Sequence, residues 1–102
     1  MVRLAKSKIA RKEKSDLLYK AILTLETEEE CYHFFQDLCT ISELRSMEQR
    51  FEVAMLLNEG MIYTDILDRT GASSATISRV NRSLLGGTGG YESVLEKRKE
   101  KE

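Results

Sequence analysis

From Leu17 onward the apolar positions recur at helical spacing. Leu17, Leu18, Ala21, Ile22 and Leu25 repeat every three or four residues and make one apolar face. Thr27-Glu28-Glu29-Glu30 reads as a capping box: the Thr27 hydroxyl accepts from a first-turn amide while Glu30 reaches back to the Thr27 amide. A second helix follows, with Cys31, Phe34, Phe35, Leu38 and Cys39 on one side. Ser42 is the expected N-cap of a third helix, and Glu43 suits its positive end. Leu44, Met47, Phe51, Ala54 and Met55 form a stripe that Val53, Leu56 and Leu57 widen. That helix is therefore expected to be buried over much of its circumference, and to stop near Gly60. Thr64-Asp65 starts a short fourth helix containing Ile66 and Leu67, which Gly71 ends. Ser73 or Ser74 caps a fifth, running to about Leu85. Gly86-Gly87-Thr88-Gly89-Gly90 interrupts the chain. A last helix begins near Tyr91, with Val94 and Leu95 apolar and Lys97, Arg98, Lys99 and Lys101 exposed. No segment sustains the alternation of a strand, and no internal repeat is found. The expected fold class is all-α, with about six helices.

A chain of 102 residues leaves room for one domain. Residues 1–14 hold few apolar side chains and are expected to form a basic, flexible N-terminal arm, either a solvated tail or a DNA-contacting one. Residues 15–102 are expected to form a single helical domain. Charged residues make up 32% of the chain, and proline and tryptophan are absent, which suits helices. The longest apolar run, Val53 to Leu57, is far short of the roughly 18 residues a membrane span needs. The basic N-terminus lacks the apolar centre of a signal peptide, so a cytoplasmic address, with no membrane partner, is the expectation.

The net charge of −1 hides a gradient. Residues 1–25 carry Arg3, Lys6, Lys8, Arg11, Lys12, Lys14 and Lys20 against Glu13 and Asp16. From Glu26 to Asp68 the chain is acidic, with Arg45 and Arg50 its only basic residues; after Gly71 it turns basic again with Arg79 and Arg82. Bulk charge gives no argument for nucleic acid, but local charge does.

Metal and covalent chemistry find little support. On one helix, Cys31 and Cys39 would stand about 12 Å apart at 1.5 Å per residue. A disulfide needs Cα atoms within about 7 Å, so the pair cannot bridge within one chain or share a metal. Plain buried thiols are the expectation. His33 has no nucleophile beside it, and Glu28, Glu29 and Glu30 read as first-turn helix residues, not as an acid and base pair. The glycine cluster follows a helix, lacks a Gly-Lys-Ser/Thr ending, and is no phosphate loop. The chain is expected to be no enzyme, with no metal site and no cofactor.

The informative stretch runs from Tyr63 to Val80. Two short helices meeting at a steep angle need a tight turn, and Gly71 permits the backbone angles there. Ile66, Leu67, Ala72, Ile77 and Val80 are spaced to fill the contact between them, and Leu84 continues the inner face. The outer face of the second helix carries Ala75, Thr76, Arg79 and Arg82, with Ser83 beside them. Small residues let such a helix approach base edges; Thr76 and the serines Ser73, Ser74 and Ser78 can bond to bases or phosphates, and Arg79 and Arg82 supply charge. An ordinary helical hairpin with a serine-capped second helix is the bland alternative.

Gly71-Ala72-Ser73-Ser74-Ala75-Thr76-Ile77-Ser78-Arg79, followed by Ser83-Leu84, resembles the helix-turn-helix of the tryptophan repressor, and the resemblance covers roughly Phe35 to Leu95. Glu29-Glu30-Cys31-Tyr32-His33-Phe34-Phe35-Gln36-Asp37-Leu38-Cys39-Thr40-Ile41 resembles the Trp-repressor-like YerC/YecD family more closely. The resemblance implies six helices, a helix-turn-helix at about 63–85, and an intertwined homodimer. By the same analogy, Ser74, Ala75, Thr76 and Ser78 fall where the repressor meets its operator. Composition leans toward a dimer independently, because Phe34, Phe35, Leu38 and Ile41 are hard to cover within one copy.

In the tryptophan repressor a small amino acid sits between two arginines, with a glycine after the second leaving space. Gln49 stands in place of the first arginine, Arg79 matches the second, and Val80 replaces the glycine. Arg50 lies next to Gln49 but about 100° around the helix. Tryptophan is therefore not expected as effector, and the resemblance names no other. The function expected is a sequence-specific, DNA-binding transcriptional regulator acting as a repressor. It would read the major groove of double-stranded DNA through Ser73, Ser74, Ala75, Thr76, Ser78, Arg79 and Arg82. The alternatives are a protein-interaction module on the same fold and a replication-associated DNA-binding protein.

Overall fold

The computed structural model describes residues 16–101, and every regular element among them is an α-helix. The arm expected over residues 1–14 lies outside the described residues. Six helices follow in order: α1 over 16–22, α2 over Glu28–Leu38, α3 over Ile41–Asn58, α4 over Tyr63–Thr70, α5 over Ser74–Gly86 and α6 over Gly90–Lys101. The chain divides into two compact units, Met1–Thr40 and Ile41–Glu102.

In the first unit, α1 closes with a tight last turn. The Leu23 amide donates to Tyr19 O at 3.0 Å, and the Thr24 amide and hydroxyl both donate to Ala21 O. The capping box at α2 is present, displaced by one residue from its expected form. The Thr27 hydroxyl accepts from the Glu30 amide at 3.0 Å, but the Glu30 carboxylate takes the Glu26 amide, at 2.9 Å, and not that of Thr27. Thr27 is extended (φ −125°, ψ 158°), which puts the preceding amide within the carboxylate's reach. Glu28, Glu29 and Glu30 complement the positive end of the helix. Phe34 and Phe35 meet edge to face at 5.5 Å. No residue of α2 is buried, and Cys31 and Cys39 are free and half-buried, less enclosed than their sequence pattern suggests.

In the second unit, α3 packs against α4 and α5, and α5 also meets α6. Val53, Ala54, Leu56, Ile66, Ala72, Ile77 and Val80 form the core, with Met55, Leu57, Met61 and Tyr91 packed against it. Full burial of a side chain such as Ile66 or Ile77 contributes on the order of 1.5–3 kcal/mol. Helix α3 begins at Ile41, so Ser42 lies in its first turn and not at the cap. It buries only Val53, Ala54 and Leu56, near its C-terminal end, where α4 and α5 supply partners. The wide apolar stripe is thus half-covered in one copy. Past its end the Gly60 amide bonds Leu57 O and the Met61 amide bonds Leu56 O, the paired closure of a Schellman turn. Helix α4 starts at Tyr63, one residue before the expected Thr64, and has no side-chain N-cap. Leu67, expected in the contact between α4 and α5, is 41% exposed. With only eight residues, α4 turns a single row inward, and Ile66 occupies it. On α6, Leu95 is buried and Val94 exposed.

Candidate nucleic-acid interface

The turn between α4 and α5 is held by short-range hydrogen bonds. Gly71 adopts a left-handed conformation (φ 73°, ψ 5°), and its amide donates to Leu67 O at 2.9 Å. Thr70 gathers three further bonds. Its hydroxyl donates to Ile66 O at 2.7 Å and accepts from the Ala72 amide at 3.1 Å. Its carbonyl accepts from the side-chain amide of Gln49, on α3, at 3.2 Å. Neither Thr70 nor the Gln49 contact was among the site residues the sequence singled out. A threonine directly before a helix-ending glycine was the local signal for the first; the second spans 21 residues and has none.

Of the two candidate caps, Ser73 is the one used. It is extended (φ −71°, ψ 159°), and its hydroxyl accepts from the Thr76 amide at 3.1 Å. The same hydroxyl donates to Thr76 Oγ1 at 3.0 Å. Ser73 and Thr76 are therefore joined to each other, and Thr76 is half-buried.

Beyond the cap, Ile77 and Val80 turn α5 into the core, with Leu84 half-buried behind them. The opposite side is open. Ser74, Ala75, Arg79 and Arg82 are exposed and Ser78 is half-buried. Ser74, Ser78 and Arg82 lie four residues apart in one row, with Ala75 and Arg79 in the adjacent row, so these five share one face. The helix contains two arginines and no acid. Its first-turn amides and the helix dipole add partial positive charge at the Ser74 end. Small side chains near that end and cations further along make a surface that a convex helix can press into a groove.

Ser83, also exposed, lines an open, mostly apolar groove of about 630 Å³ with Phe51, Thr88, Tyr91 and Val94. Gly87 and Gly90, from the glycine segment that interrupts the chain, form part of its wall. Among the described residues no group of three or more His, Cys, Asp or Glu is placed to hold a metal ion, and no helix is long and apolar enough to cross a membrane.

Residues 13–99 match the family described as Trp repressor protein. The chain is 54% identical, over 87 residues, to the uncharacterized protein YerC of Bacillus subtilis, covering 85% of this chain and 84% of that one. A candidate Trp repressor from Staphylococcus aureus has a similar structure, with a TM-score of 0.82 and 48% identity over 85% of this chain and 87% of the other. A TrpR-like protein from Eubacterium eligens superposes with a TM-score of 0.81 at 53% identity, over 83% and 88% of the two chains.

Proposed function

The chain belongs to the Trp repressor family, and on that premise we propose that it is a cytoplasmic transcriptional repressor that binds double-stranded DNA in a sequence-specific way. It is a binding protein and not an enzyme. The observation that carries this reading is the open face of α5. Ser74, Ala75, Ser78, Arg79 and Arg82 stand together on it, with no acid on the helix, over a heel of Ile77 and Val80 fixed in the core. Ala75 and the serines suit close approach to base edges. Arg79 and Arg82 neutralise phosphates, and the helix start draws phosphate oxygens. Ser73 and Thr76 serve at the cap: Ser73 sets the start of the helix, and the half-buried Thr76 is joined to it there.

The working unit is a homodimer. Leu17, Leu23, Leu38 and Ile41 are all more than half exposed in one copy, which a second copy would cover. A two-fold pair presents two α5 helices about 34 Å apart, matching successive major grooves on one side of the duplex. No cofactor is needed for binding. Tryptophan is not the effector, because Val80 fills the core and the Gln49 amide is bonded within the protein.

Selection of bound sequences from a random duplex pool tests the reading. Enrichment of a motif with two-fold symmetry is the expected result. If no motif is enriched and binding shows no steep salt dependence, the chain is a protein-interaction module on the same fold.

A further inference from the structure

The geometry points to Gln49 as a positioning residue that sets the angle of the reading helix through the turn before it. The inference rests on the DNA-binding reading above. Apolar packing between α3, α4 and α5 fixes their separation, but it is non-directional and leaves small rotations cheap. A hydrogen bond is directional, and the one from Gln49 to Thr70 O ties α3 to the last residue of α4. Within the turn, Thr70 is the residue through which that tie is passed on. Gly71, which follows it, adds no side-chain contact, with nothing within 4 Å of where a side chain would begin.

The Thr70 carbonyl belongs to the last turn of α4, where carbonyls have no partner within the helix. Gln49 supplies one. The Thr70 hydroxyl passes the constraint on in both directions, to Ile66 O within α4 and to the Ala72 amide beyond the turn. Ala72 is fully buried and is followed at once by Ser73, the cap of α5. A chain of bonds thus runs from α3 through Thr70 to the residue before the cap. The donor matters chemically. A carboxylate at position 49 would face a carbonyl at the negative end of α4 and repel it, whereas an ammonium would donate to the same oxygen.

The test compares Gln49→Met and Gln49→Glu, which lack the donor, with Gln49→Lys, which keeps one. Circular dichroism and sedimentation establish that each variant is folded and assembled as the parent is; Glu serves should Met misfold. Two readouts follow. The first is hydrogen-exchange protection of the Ala72 amide, measured without DNA. It should fall about three- to tenfold in the Met and Glu variants, the loss expected of one net hydrogen bond, and return in Lys. The second is the ratio of affinity for the selected duplex to affinity for random duplex. It should drop by a similar factor in Met and Glu and recover in Lys; taking the ratio cancels the added charge. Unchanged Ala72 protection in a folded donor-less variant overturns the proposal, as does equal loss in all three. If the parent selects no duplex motif but the exchange pattern holds, the DNA reading falls and Gln49 still sets the turn.

Discussion

Gly71 holds the sharpest bend between α4 and α5 with φ at +73°, and empty space surrounds the position a Cβ would take. The cost of Gly71→Ala is therefore backbone strain alone, about 1–2 kcal/mol. Urea unfolding should show a lower midpoint with an unchanged slope; a variant as stable as the parent would mean that the turn relaxes without loss. Val80 makes the opposite case, in which a side chain is present where the tryptophan repressor has space. It is 1% exposed and packs with Ile77, Ile66 and Val53 in the core. A ligand ring entering there would have to displace it. Gln49 offers a carboxylate only a neutral amide, already spent on Thr70. Calorimetric titration with L-tryptophan at micromolar concentration should give no saturable heat, and added tryptophan should leave DNA affinity unchanged. The residue identities behind this argument were readable in the sequence. That the Gln49 amide is occupied was not, because its partner lies 21 residues away on another element.

On the DNA-binding reading proposed above, α5 makes two kinds of contact along its length, and substitutions should separate them. Ala75 and Ser78 are small residues on the open face, so Ala75→Gln or Ser78→Gln should change which duplexes are selected. Arg82 lies a turn further on, so Arg82→Ala should weaken binding to all duplexes alike. It should also make the salt slope shallower by about one unit. A change of preferred motif in Arg82→Ala, with no change in the Gln variants, would place the reading surface elsewhere. At this scale the sequence was informative where signals are local. Helix starts came within one residue for α4 and α6 and within two for α3, and Gly60 and Gly71 marked two helix ends. It over-read burial. The apolar stripe of α3 records which side chains avoid water, not which neighbours are present to cover them. Within one copy α4 and α5 bury only Val53, Ala54 and Leu56 of that helix. The same limit misplaced Leu67, which shares a helix with Ile66 but not its inward row.

The homodimer proposed above rests on the apolar surface that a single copy leaves open. Helix α2 has an apolar side and no buried residue. Leu17 is 71% exposed and Leu23 83% exposed. Beyond these, Tyr19, Tyr32, Leu38 and Ile41 also face water by half or more. Scattered exposed apolar residues are ordinary, and Ile62, Leu85 and Val94 are examples, but six of the nine that are more than half exposed among the described residues fall between Leu17 and Ile41. Covering it with the same surface of a second copy makes a closed two-fold contact, which cannot grow further. Folding and association are then one process, so stability depends on concentration. Two measurements follow. Sedimentation equilibrium at micromolar concentration should give twice the chain mass of 11.7 kDa. The thermal midpoint should rise as protein is concentrated, and Leu38→Glu should reduce association and helix content together, since a charge buried without a partner is costly. A well-folded monomer of the parent, with a midpoint independent of concentration, would remove the dimer. With it would go the paired arrangement of α5 helices on which recognition of two half-sites depends.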